Sequence, residues 1–100
     1  MSYKIKPMNK SAVHKKIVDI LSRYPVSKAA IFGSFANGTE HKNSDIDILI
    51  ETNGPVSLFL ILDIENQIAK ATKKKADIVE YSAIKPSIRK TILSESVRIL

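Results

Sequence analysis

The chain has 100 residues, 44% of them hydrophobic, and a net charge of +6. That suffices for a single domain over residues 1–100 with one core, and leaves no room for a second domain that would grip an acceptor. The absence of cysteine excludes disulfides and thiolate metal sites, and no apolar run nears the roughly 20 residues of a membrane span, so a cytoplasmic, membrane-free protein with anionic partners is expected.

Met1–Pro7 is a short basic lead-in, expected to fray or to lie along an edge. A helix is expected from about Asn9 to Tyr24. Val13, Ile17, Ile20, Leu21 and Tyr24 form one stripe, Asn9 or Ser11 can cap its start, and Pro25 ends it. His14 borders the stripe and reads as a surface or packing residue. Lys28–Phe32 is short and apolar, as a central buried strand is. Ser34–Asn37 is expected to make a helical turn closed by Gly38. Thr39–Asn43 reads as a polar loop, in which His41 and Lys42 are solvated or face a phosphate.

Ser44–Glu51 is the most informative stretch. Ile46, Ile48 and Ile50 alternate with Asp45, Asp47, Leu49 and Glu51, so a strand puts isoleucine on one face and carboxylates on the other. The Cα atoms of Asp45 and Asp47 then lie roughly 6.5–7 Å apart. Two carboxylates so placed repel unless a cation sits between them, and Mg²⁺ suits them because it takes carboxylate oxygens and leaves positions for water and phosphate. Gly33-Ser34 follows the first strand. The glycine lets backbone N–H groups approach a phosphate, and the serine adds a hydroxyl at a helix start, where anions are favoured. Together these residues describe a site for a metal-bound nucleoside triphosphate.

Asn53-Gly54-Pro55 is a turn. A helix is expected from Val56 or Ser57 to about Thr72, with Leu58, Ile61, Leu62, Ile68 and Ala69 as its apolar face. Phe59, Leu60 and Ile64 widen that face, which leaves core packing and a partner surface both open. Lys73-Lys74-Lys75 reads as a solvated helix end. Ala76–Tyr81 is expected as a third strand, with Tyr81 a packing residue. Asp77 sits in its apolar run and needs a cation or donors. Beside the second strand it completes a three-carboxylate cluster; otherwise it pairs with a lysine such as Lys75. Ser82 and Pro86 mark the entry of a last helix packed by Ile84, Ile88, Ile92 and Leu93. Val97 and Ile99 form a short final strand or a frayed tail.

GSFANGTEHKNSDIDILIE, Gly33 to Glu51, resembles the signature of the minimal nucleotidyltransferases of the DNA polymerase β superfamily, which runs Gly-Ser, ten residues, Asp-x-Asp. KKADIVEYSAIKPSIRKTILSESVRIL resembles the closing strand of that family, with its third carboxylate, and the helix after it. The resemblance covers about Ala29 to Leu100. It implies an α/β (α+β) polymerase-β-like core, a small mixed sheet of three or four strands flanked by helices. It implies Mg²⁺-dependent transfer of AMP from ATP to a hydroxyl, with Asp45 and Asp47 holding one or two Mg²⁺. Asp77 then binds the second metal or orients and deprotonates the acceptor, while Gly33 and Ser34 hold the outer phosphates. Asn37 stands where the family often has arginine, which removes a phosphate contact. Stand-alone members often accompany a HEPN toxin and act as its antitoxin, by attaching AMP to a tyrosine of the toxin, by binding it, or both. The alternatives are a non-catalytic antitoxin or scaffold subunit and a nucleic-acid-directed nucleotidyltransferase subunit. The basic charge fits the latter, and the intact set of Gly33, Ser34, Asp45, Asp47 and Asp77 favours an enzyme over the non-catalytic subunit. Homo-oligomers and hetero-oligomers are both compatible with the sequence.

Overall fold

The computed structural model describes residues 10–33, 36 and 45–100. Helix α1, Lys10–Leu21, buries Val13, Ile17, Ile20 and Leu21, the stripe its spacing calls for. The next residues, through Pro25, are turn rather than helix. Pro25 disfavours helical backbone at Tyr24, whose N–H reaches back only to the Leu21 carbonyl, at 3.1 Å. The lead-in and Asn9 lie outside the described residues.

Strand β1, Val26–Phe32, starts two residues before Lys28. The Asn53 N–H donates to the Pro25 carbonyl at 2.8 Å, so the pairing region extends past the register slip between Val26 and Lys28. Strand β2, Ile46–Thr52, runs antiparallel to β1, with Phe32 opposite Asp47. Helix α2, Leu58–Thr72, follows the turn. Its N-cap is Ser57, whose hydroxyl accepts the Leu60 N–H at 3.2 Å. Lys73 closes α2 in the left-handed region, at φ 60°, with its N–H bonded to the Ala69 carbonyl. Strand β3, Ala76–Glu80, is parallel to β2, an arrangement that needs a crossover, and α2 supplies it. Tyr81 is not strand but the start of a 3-10 turn, Tyr81–Ala83. Helix α3, Pro86–Glu95, has its proline in the first turn, and β4, Val97–Arg98, returns antiparallel to β1. The result is a mixed four-stranded sheet in the order β3-β2-β1-β4, flanked by helices.

The alternation in β2 divides the core. Ile46, Ile48 and Ile50 pack with Ala29 and Ile31 against the buried faces of α1 and α2. Leu49 and Ala30 lie on the other face with Tyr81 and Ile84, and Phe32, Val79 and Ile92 pack around them. The Tyr81 ring also lies under the Lys28 ammonium, 4.5 Å from its centroid.

Two packing expectations are corrected. On α2 the buried line is Ile64, Ile68 and Thr72, while Leu58, at 71% exposure, Phe59, at 83%, and Leu62 stand in solvent. The buried face is thus shifted from the expected one: Ile64 joins it and Leu60 and Ile61 pack at its border, while Leu58 and Leu62 of the expected face find no cover. On α3 no residue is fully buried. Ile84, just before it, is buried and Ile92 packs partly, but Ile88 and Leu93 are exposed. Arg89, itself exposed, ties α3 to the 3-10 turn by donating to the Tyr81 carbonyl at 3.0 Å.

Candidate nucleotide and metal site

Three chain directions bring the candidate residues to one end of the sheet. Antiparallel β1 finishes where β2 begins, and parallel β3 begins beside β2. Asp47 and Asp77 are register partners, on strands roughly 4.8 Å apart, and so share a face. Asp45 lies just before β2, near enough for its charge to act on Asp47. All three are half-buried. The Ile46 N–H donates to the Lys75 carbonyl at 2.8 Å and ties the two strand starts together. Lys75 itself is exposed, and among the described residues no ion pair joins it to Asp77. Asp77 stands beside Asp47 in register.

The electrostatics follow from this packing. Burial pushes the Asp47 carboxyl up from the ordinary carboxylate value, and the negative charges of Asp77 and then Asp45 push it further. A cation bound among them reverses that penalty. Among the described residues no three carboxylate, imidazole or thiolate groups are placed to hold a metal ion together, so the in-register Asp47–Asp77 pair is the feature that stands. The donor set fits a hard ion such as magnesium, which keeps positions for water and substrate phosphate.

Gly33 has a second reason to be glycine. Its φ is +73°, and a Cβ built on it would lie 2.5 Å from Asp47 Oδ2. The turn after β1 thus passes directly against the carboxylate, and a side chain there would displace it. The N–H of Ala36, itself helical, donates to the Gly33 carbonyl at 3.1 Å. Ser34, the expected phosphate-binding hydroxyl, lies outside the described residues, as do Asn37, His41 and Lys42.

His14 is half-buried on α1, its imidazole held below the usual value by burial and then by Lys10. It lines an open hollow of about 550 Å³ together with Lys15, Asp19 and Arg98, none of them a member of the acidic cluster. A packing role is what its place supports. One contact beside the cluster has no local sequence signal. The Ile78 N–H, next to Asp77, donates to Glu65 Oε2 of α2 at 2.8 Å, and the two residues are 13 apart in the chain.

The family model "Polymerase beta, Nucleotidyltransferase" matches residues 15–100. A candidate protein adenylyltransferase of Methanocaldococcus jannaschii is 34% identical over 93 residues, which is 93% of this chain and all of the relative. A solved toxin–antitoxin structure with AMP-PNP superposes with a TM-score of 0.78 at 21% identity, over 87% of this chain and 72% of that one. Another, a tri-AMPylated HEPN toxin of Shewanella oneidensis in complex with its MNT antitoxin, gives a TM-score of 0.73 at 15% identity, over 92% of this chain and 72% of that one. At these identities the structural likeness is one of fold.

Proposed function

The chain belongs to the polymerase beta nucleotidyltransferase family, and from that premise we propose that it transfers AMP from ATP to a hydroxyl of a partner protein, a tyrosine of a HEPN toxin, and so serves as the antitoxin of the pair. The observation that carries this is the in-register Asp47–Asp77 pair, with Asp45 electrostatically coupled to Asp47 and Gly33 pressed against it. The relative described as a protein adenylyltransferase and the AMPylated toxin in the similar complex support the choice of acceptor.

Asp45 and Asp47 hold Mg²⁺, which when bound stabilises the attacking and leaving oxygens on phosphorus. Asp77 joins in holding a second ion, or receives the proton of the incoming hydroxyl. The Gly33 N–H and the Ser34 hydroxyl grip the outer phosphates. The bond from the α-phosphorus to the bridging oxygen breaks, the acceptor oxygen bonds to that phosphorus, and pyrophosphate leaves. A cytoplasmic setting belongs to the same proposal, because ATP is the substrate.

The test is incubation of the protein with labelled ATP, Mg²⁺ and a HEPN partner. Label on a tyrosine of the partner is expected. Stable association without label would replace the enzyme with a non-catalytic antitoxin, and label on RNA would replace the protein acceptor.

A further inference from the structure

Strand β3 is the outer strand of the sheet. On an edge strand alternate N–H groups point away from the ladder and lack a strand partner. The N–H of Ile78 is one of these, and the Glu65 carboxylate reaches down from α2 to accept it at 2.8 Å in a half-buried setting. The next residue back, Asp77, lies in register with Asp47 on the inner side of the strand. The backbone around Asp77 is thus held from both flanks, by the β2 ladder on one and by Glu65 on the other. This matters because Asp77 stands where like charge pushes it away: it is one of the two carboxylates that raise Asp47.

We propose that Glu65 is the positioning residue of the third carboxylate, its bond to the Ile78 N–H fixing the roll of β3 so that Asp77 faces Asp47. Glu65 touches neither phosphate nor acceptor and acts through the backbone. The inference rests on the transfer reaction proposed above, because it assigns Asp77 to the metal site. A side chain that only sealed a sheet edge would affect stability alone. A positioning residue must also change how the acidic cluster takes up a divalent ion.

The distinguishing experiment is a titration with Mn²⁺, followed by calorimetry, in the presence of a non-hydrolysable ATP analogue. It compares wild type with Glu65→Ala, Glu65→Gln and Glu65→Asp, each shown to be folded by circular dichroism. Glu65→Gln keeps an acceptor oxygen at the same reach and should bind Mn²⁺ within about twofold of wild type. Glu65→Ala should lose about tenfold or more in Mn²⁺ affinity, and its kcat should fall with little change in KM for ATP. Glu65→Asp keeps the charge but falls short of Ile78, so it should behave like alanine; it carries the test if the alanine variant does not fold. A folded alanine or aspartate variant with wild-type Mn²⁺ affinity, and only a lowered melting temperature, overturns the proposal. Failure of the wild-type protein to bind Mn²⁺ with the analogue overturns the reaction itself, a result distinct from loss confined to the variants.

Discussion

At the scale of the residue, three carboxylates are crowded without a cationic side chain between them among the described residues. Asp47 shows the cost, its carboxyl raised by burial and by two negative neighbours. A raised carboxyl means the folded chain binds that proton more tightly than the unfolded chain does. Stability of the metal-free protein therefore declines as pH climbs from the unfolded value through the folded one, and the full cost is present above the folded value. Asp47→Asn should raise the melting temperature of the metal-free protein at pH 7 and flatten that pH dependence, as thermal melts in a chelator would record. The same change should cut AMP transfer by about a thousandfold, equivalent to about 4 kcal/mol in the barrier. Near-normal turnover would contradict the assignment. Gly33→Ala is the complementary test. It should cost about 1–2 kcal/mol of stability for a left-handed non-glycine residue, and it should also abolish Mg²⁺–ATP binding by pushing the Asp47 carboxylate aside.

At the scale of the element, the strands were more legible than the helices. Strand β2 announced itself because isoleucine fills every second position, and the sheet buries those residues on one side. Two faces with opposite needs leave one register. The stripe of α1 was legible too, but α2 and α3 carry more apolar residues than their packing uses, so their spacing alone did not reveal which line meets the sheet. Ile64→Ala, on the buried line of α2, should cost about 2–5 kcal/mol. Ile88→Ala, on α3 at 48% exposure, should fall within about 0.5 kcal/mol of wild type. Chemical denaturation of the two variants side by side checks the contrast. The lysine run was correctly placed at a helix end, but its backbone was not foreseen. Lys73 holds φ 60°, where a side chain is disfavoured. Lys73→Gly should stabilise the protein by about 0.5–1 kcal/mol, read from the same denaturation curves.

For the whole molecule, the Gly-Ser and Asp-x-Asp spacing located most of the acidic cluster, because residues that end one strand and begin its neighbour must meet in an antiparallel pair. The distance from Asp77 to this cluster was conditional in the sequence, since only strand order makes it a neighbour, and strand order depends on the α2 crossover. The Glu65 contact was not legible, because it joins a helix to a strand edge through one hydrogen bond that no local pattern encodes. A chain whose carboxylates relax only around a cation should be stabilised by Mg²⁺ with ATP. At about 100 times the dissociation constant the gain is about 2.7 kcal/mol. A thermal shift with the wild type, absent from Asp47→Asn, would register it.

Helix α2 runs opposite to the strands it joins, so its first turn lies beyond the finish of β2 while its last turn approaches the acids. Leu58 and Phe59 therefore sit about 20 Å up the helix from Thr72, and Leu62 about 15 Å. A companion protein that seated itself on that greasy knob would be grasped away from the carboxylate pole. Holding and modifying would then be severable: a chain robbed of its acids keeps its handle, and one robbed of the handle keeps its acids.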